Sequence, residues 1–171
     1  MIFRDRFLWN LNLDIMINYD HIFTNYHVET IKITLCLWDI ENMPLTKEDT
    51  RKLAAFLTGE YPDVKLYAVT AGNKVNLNLD EASNCGFEII EDGYGDYGHA
   101  DDLIKEIANI GLNSPNLEKI IFITSDKGFA RTIVKCSTYI ETELISLSKD
   151  PISSKLRNAP HRCFTKNDVL N

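Results

Sequence analysis

IKITLCLWDIEN, residues 31–42, is a β-rich apolar run that stops on an acid. Its first eight residues have the pattern of a strand covered on both faces. Asp39 follows directly, and an acid at the end of a buried strand is costly unless it is paired or metal-bound. Asn42, three residues on, can donate its side-chain amide to that carboxylate and fix its orientation. A turn asparagine ahead of Pro44 is an equally simple reason for it to be there. Strand alternation sends Trp38 to the opposite face, into the core.

Outward from this run, strands and helices alternate. Residues 46–57 form a helix begun by Thr46 and Asp49, with Leu53, Phe56 and Leu57 on one face. VKLYAVTA (64–71) is a second strand, 74–84 a weaker helix and 87–90 a third strand before the loop EDGYGDYGH. Residues 100–112 read as a helix with Leu103, Ile107, Ile110 and Leu112 inward. KIIFIT (119–124) is a fourth strand, 127–137 a helix and ELISLS (143–148) a fifth strand. Such alternation predicts a three-layer α/β/α sandwich around a mainly parallel, Rossmann-like sheet of five or six strands. In these sheets ligands bind at the carboxyl ends of the strands, where the strand order reverses.

Acids fall where that rule points. Asp39 ends the first strand, Asp126 follows the fourth in ITSDKGF, and Asp101 and Asp102 open a helix in GHADDLI. Carboxylates converging from separate strand ends suit Mg²⁺ or Mn²⁺, which activates water and neutralises charge on a phosphoryl group. Each also has a plainer use. Asp101 or Asp102 can serve a helix N-terminus, Ser125 can cap the helix after the fourth strand, and Asp126 can sit in its first turn. A haloacid dehalogenase-like phosphatase would need D-x-D-x-T after the first strand, and DIENM lacks the second Asp.

Residues 1–30 contain no Gly or Pro and show weak periodicity, so they are read as an extension of uncertain order, with the domain over 31–171. Charged and polar residues interrupt them, unlike a signal peptide. No apolar run is long enough to span a membrane. Cys36, Cys85, Cys136 and Cys163 show no C-x-x-C or zinc spacing, and are expected to be reduced thiols of a cytoplasmic protein. The net charge of −7 is uneven, −11 over residues 1–118 and +4 over 119–171. An acidic part fit for metal sits beside a basic part fit for phosphate.

The strings LWDIEN, HADDLI and IIFITSDKGFA, in that order and spacing, resemble the NYN branch of the PIN-like nucleases, of the type carried by the meiosis regulator and mRNA stability factor. The likeness runs from about residue 33 to about residue 168 and takes in RNAPHRCF, which would form a short terminal strand. It implies a PIN-like sheet and a metal-dependent endoribonuclease hydrolysing RNA phosphodiester bonds. The implied catalytic set is Asp39, Asn42, Asp101, Asp102 and Asp126, with Mg²⁺ or Mn²⁺ on Asp39, Asp126 and one of Asp101 and Asp102; Asp102 is taken into the metal set. Where the resembled domain has an acid at the end of the second strand, this chain has Thr70 and Ala71, and Glu91, Asp92 or Asp96 could substitute. A catalytically inactive RNA-binding module of the same fold is the alternative.

The implied partner is RNA, single-stranded, with no membrane and a homodimer left open. Ser125 would lie beside the last aspartate and belong to the RNA-binding set with Lys127, Arg131 and Lys135. Lys127, Arg131 and Lys135, at i, i+4 and i+8, would share a helix face that starts at the site and tracks phosphates. A solvated face explains the same spacing. Lys149, Lys155, Arg157 and Arg162 extend the basic region, and Tyr94, Tyr97 and His99 offer stacking groups for unpaired bases.

Overall fold

The computed structural model of the chain describes residues 32–71, 77–91 and 100–171. The expectations for residues 1–30 and for Asp92, Tyr94, Asp96, Tyr97 and His99 lie outside the described residues.

The apolar run becomes β1 (Ile33–Asp39), buried over all but its first residue. β2 (Val64–Thr70), β3 (Glu88–Glu91), β4 (Leu117–Ile123), β5 (Glu141–Ser146) and β6 (Arg162–Thr165) join it in a six-stranded sheet of order β3-β2-β1-β4-β5-β6. Every pairing is parallel. Parallel strands need crossovers, and helices supply them on both faces, which explains why the central strands lack polar alternation. The order reverses between β1 and β4, so the switch point of the sheet lies beside Asp39.

One face packs against α1 (Lys47–Glu60), α2 (Leu79–Asn84) and α6 (Lys166–Leu170). There Cys36, Trp38, Ile121, Ile123 and Ile145 meet Leu53, Ala54, Leu57, Ala82, Val169 and Leu170. Trp38 is fully buried, edge-on to Phe87, with its Nε1 donating to the Met43 carbonyl at 3.0 Å. α3 (Ala100–Gly111) packs on β1 and β2 from the other face, and α4 (Ala130–Ser137) packs on β5 and α3. The short α5 (Ser154–Arg157) contacts the turn that precedes α4.

Helix starts follow local chemistry. Thr46 caps α1 by accepting from the Asp49 amide at 3.1 Å, as expected. The single helix expected over 127–137 is instead a 3₁₀ turn (Lys127–Phe129) followed by α4. Asp126, and not Ser125, caps that turn: its carboxylate accepts from the Gly128 amide at 2.8 Å and tightens the first turn. In α3 the buried stripe is Ala100, Ile104, Ile107, Ala108 and Gly111, while Leu103, Ile110 and Leu112 are half-buried. Of the helix expected over 74–84, Leu79–Asn84 is described as helix, and residues 72–76 lie outside the described residues. The helices α5 and α6 were not anticipated; α6 starts on a capping box of Thr165 and Asp168.

One ionic group lies within the sheet's core. Glu143 is fully buried; Lys119 donates to it at 2.8 Å, and the Tyr61 hydroxyl donates to its other oxygen. Both carboxylate oxygens are therefore partnered, as a buried charge requires. All four cysteines are free thiols; Cys36 and Cys136 are buried.

Candidate active site

Asp39 is fully buried at the carboxyl end of β1. Its Oδ2 accepts from Asn42 Nδ2 at 2.7 Å and from Thr124 Oγ1 at 3.0 Å, and its Oδ1 accepts from the Asn42 amide at 3.3 Å. Burial holds this carboxyl above the usual carboxylate range, against the lowering effect of the Asn42 and Thr124 hydrogen bonds. Asn42 thus binds the aspartate and makes the turn as well.

Thr124 was not singled out from sequence, because a threonine ending a strand is ordinary β chemistry. Trp38 pairs with Ile123 in the β1–β4 register, so Thr124 falls next in line, beside Asp39. Its hydroxyl donates to Asp39 and accepts from the Asp126 amide at 3.1 Å. One buried side chain therefore ties the first acid to the backbone of the last. Gly128 is a second missed position. A Cβ there would meet Asp126 Oδ2 at 3.2 Å, so a side chain would press on the carboxylate.

Asp101 joins this pair from the first turn of α3. Its carboxyl is raised first by burial, then by the charges of Asp39 and Asp126, and the Asp126 side chain is close enough for a hydrogen bond. Asp102 turns away: it is exposed and pairs with Lys105 at 3.1 Å. Helix phase decides between them. Asp101 precedes Ile104, Ala108 and Gly111 of the buried stripe, whereas Asp102 precedes Lys105 and the exposed Asn109. The gathered acids are Asp39, Asp101 and Asp126, where the sequence reading had put Asp102 in the metal set.

Glu41 reaches the end of β2. Its Oε1 accepts from Thr70 Oγ1 at 2.8 Å and from the Ala71 amide at 2.7 Å. Glu91, offered as a substitute acid, is exposed at the end of β3, across from Thr70. Ser125 is half-buried between Thr124 and Asp126. Lys127 is exposed on the 3₁₀ turn, and Arg131 and Lys135 are exposed on α4. The uniform helix spacing expected of these three is broken by the 3₁₀ turn, and Lys135 donates to Asn109 Oδ1 of α3 at 2.7 Å. Lys155 and Arg157 are exposed on α5, beside the turn that follows Asp126.

Among the described residues, no group of three or more His, Cys, Asp or Glu side chains is set closely enough to hold a metal ion as it stands. The donor chemistry nonetheless fits a hard divalent cation. Mg²⁺ keeps several waters and takes one or two carboxylates plus substrate phosphate oxygens, so it does not need a closed all-protein cage. The mutual repulsion felt by Asp101 is what a cation would relieve. A groove lined by Phe56, Glu60, Arg162, Cys163, Phe164 and Asp168 shares none of the gathered acids.

A parallel sheet with acids at its switch point defines an α/β protein of the PIN-like class. The NYN domain family matches residues 34–167, and the chain belongs to that family, within the PIN-like nuclease superfamily. A crystal structure of a protein of unknown function from Vibrio parahaemolyticus shares the fold, with a TM-score of 0.63 and 17% identity over 84% of this chain and 98% of that one. No curated protein matches the chain. Among the described residues no helix is long and apolar enough to cross a membrane.

Proposed function

We propose that the chain is a metal-dependent endoribonuclease that cuts single-stranded RNA at the Asp39–Asp101–Asp126 site. What supports this reading is the placement of Asp39 at the end of β1, Asp101 in the first turn of α3 and Asp126 after β4, with the charges of Asp39 and Asp126 both acting on Asp101. Asp39, Asp101 and Asp126 would hold Mg²⁺ or Mn²⁺, which when bound supplies an activated water and neutralises charge on the phosphoryl group. The protein's own part is positioning. Asn42 and Thr124 fix the Asp39 oxygens, and Thr124 fixes the backbone of Asp126. Lys127 and Arg131, with Lys155 and Arg157 of α5, are exposed and would offer cations to RNA phosphates. Within the family we place the chain beside the NYN domain of the meiosis regulator and mRNA stability factor, on its WDIEN opening and ADD helix start.

A second reading is a binding module that keeps the fold and the basic surface without cutting. It is favoured by the absence, among the described residues, of a ready metal-ligand cluster. The two readings separate on single-stranded RNA incubated with wild type and Asp39→Asn, with and without millimolar Mg²⁺ or Mn²⁺. The nuclease cuts only with metal, stalls under chelation, and in the Asn variant binds RNA without cutting. Wild type that binds RNA and never cuts it with either ion would leave the binding module standing.

A further inference from the structure

We propose that Glu41 is a positioning residue that sets the Asp39 carboxylate by clamping the turn after β1 to the end of β2. This rests on the reading of Asp39 as part of the site.

The turn has two anchors. On one side Met43 is fixed: its amide donates to the Asp39 carbonyl at 3.0 Å, its own carbonyl accepts from Trp38 Nε1 at 3.0 Å, and its sulfur accepts from the Leu147 amide at 3.3 Å. The other side is held by Glu41. The β1–β2 ladder ends where Asp39 meets Val69, and among the described residues no backbone pairing beyond it ties the turn to β2. There the Glu41 side chain takes over, with Oε1 accepting from both the Thr70 hydroxyl and the Ala71 amide. Thr70 is itself buried, so the clamp closes on a fixed point.

Glu41 and Asn42 are consecutive, and they grip different partners. Glu41 grips β2, while Asn42 uses both its backbone and side-chain N–H groups on the two oxygens of Asp39. Fixing the peptide between them fixes the Asn42 donors, and through those the carboxylate. Toward Thr70 and Ala71, Glu41 acts as an acceptor. An uncharged side chain that still accepts should do as well.

That contrast is the test, in Glu41→Gln and Glu41→Ala. In the metal-free protein, amide hydrogen exchange at Ala71 and Asn42 reports the clamp directly. Glu41→Ala should accelerate both amides, weaken Mn²⁺ binding and lower kcat by about 10-fold, with KM for RNA unchanged, a size typical of losing a residue that orients a ligand. Glu41→Gln should restore all of these. Thr70→Val, which removes one of the two donors, should give a smaller shift of the same kind if the alanine variant does not fold. The proposal is overturned if Asn42 exchange is unmoved when Ala71 exchange rises, or if glutamine is as damaging as alanine. A wild type that never cuts RNA would sink the nuclease reading, while the Asn42 exchange rates would still decide the role of Glu41.

Discussion

Asp101 shows how a residue's surroundings can be read as a stability prediction. Burial, then the charges of Asp39 and Asp126, raise its carboxyl, so the folded state holds this proton more tightly than the unfolded chain does. A raised carboxyl contributes stability below its unfolded value, near pH 4, and loses it as pH rises through the folded value. At pH 7 the ionised group is a cost. Asp101→Asn in metal-free protein should therefore raise the melting temperature at pH 7, by a few degrees at most, since solvent screens a half-buried group. The gain should shrink as pH falls and the wild-type group takes up its proton in the fold. A loss of stability at pH 7 would show that Asp101 is held by donors rather than strained by acids. At this scale Asp39 and Asp126 were legible, because a strand end fixes where an acid lies. Asp101 and Asp102 were not separable, since one residue of helix phase divides them and the expected inward set met the buried stripe only at Ile107, with Leu103 and Ile110 half-buried. Thr124 was hidden because its type is equally apt for a plain strand.

The elements divide into those that carry chemistry and those that hold the sheet. Lys119 of β4 and Glu143 of β5 meet Tyr61, the residue that closes α1, in a buried network that includes none of the gathered acids. Tyr61→Phe leaves one Glu143 oxygen buried without its donor, a loss of about 1–3 kcal/mol. Calorimetry should show a lower melting temperature, with activity at 25 °C and metal dependence unchanged. A fall in metal affinity instead would tie the network to the site. Most elements were readable from apolar runs and caps, and strand type followed from the missing polar alternation. Two features were not. The 3₁₀ turn depends on Asp126 folding back on Gly128, a side-chain choice that periodicity does not record. The helices α5 and α6 are too short, at 4 and 5 residues, for a pattern to repeat.

Along the whole chain acids and bases are segregated in sequence, and the site's carboxylates come from both parts. The acidic part supplies Asp39 and Asp101, and the basic part supplies Asp126 with the cations around it. Salt dependence reports that arrangement. Each phosphate contact on a single strand contributes about 0.7 to the slope of log K against log salt. Arg131→Glu should weaken RNA binding and flatten the slope, measured by titration at several salt concentrations. An unchanged slope would return α4 to the role of a solvated face. The architecture was legible as a class because alternation implies crossovers. The strand order was not, since it depends on which strands pair, and the first clear sign of it is β4 lying beside β1.

The central claim is that Asp39, Asp101 and Asp126 act together on a divalent ion to cut RNA. It is met most directly by the rate at which Asp101→Asn and Asp102→Asn cleave single-stranded RNA in saturating Mn²⁺, beside wild type. Asp101→Asn should be inactive and Asp102→Asn should keep most of the wild-type rate, because Asp102 is exposed on Lys105. Equal loss in both variants, or full activity in Asp101→Asn, would contradict it.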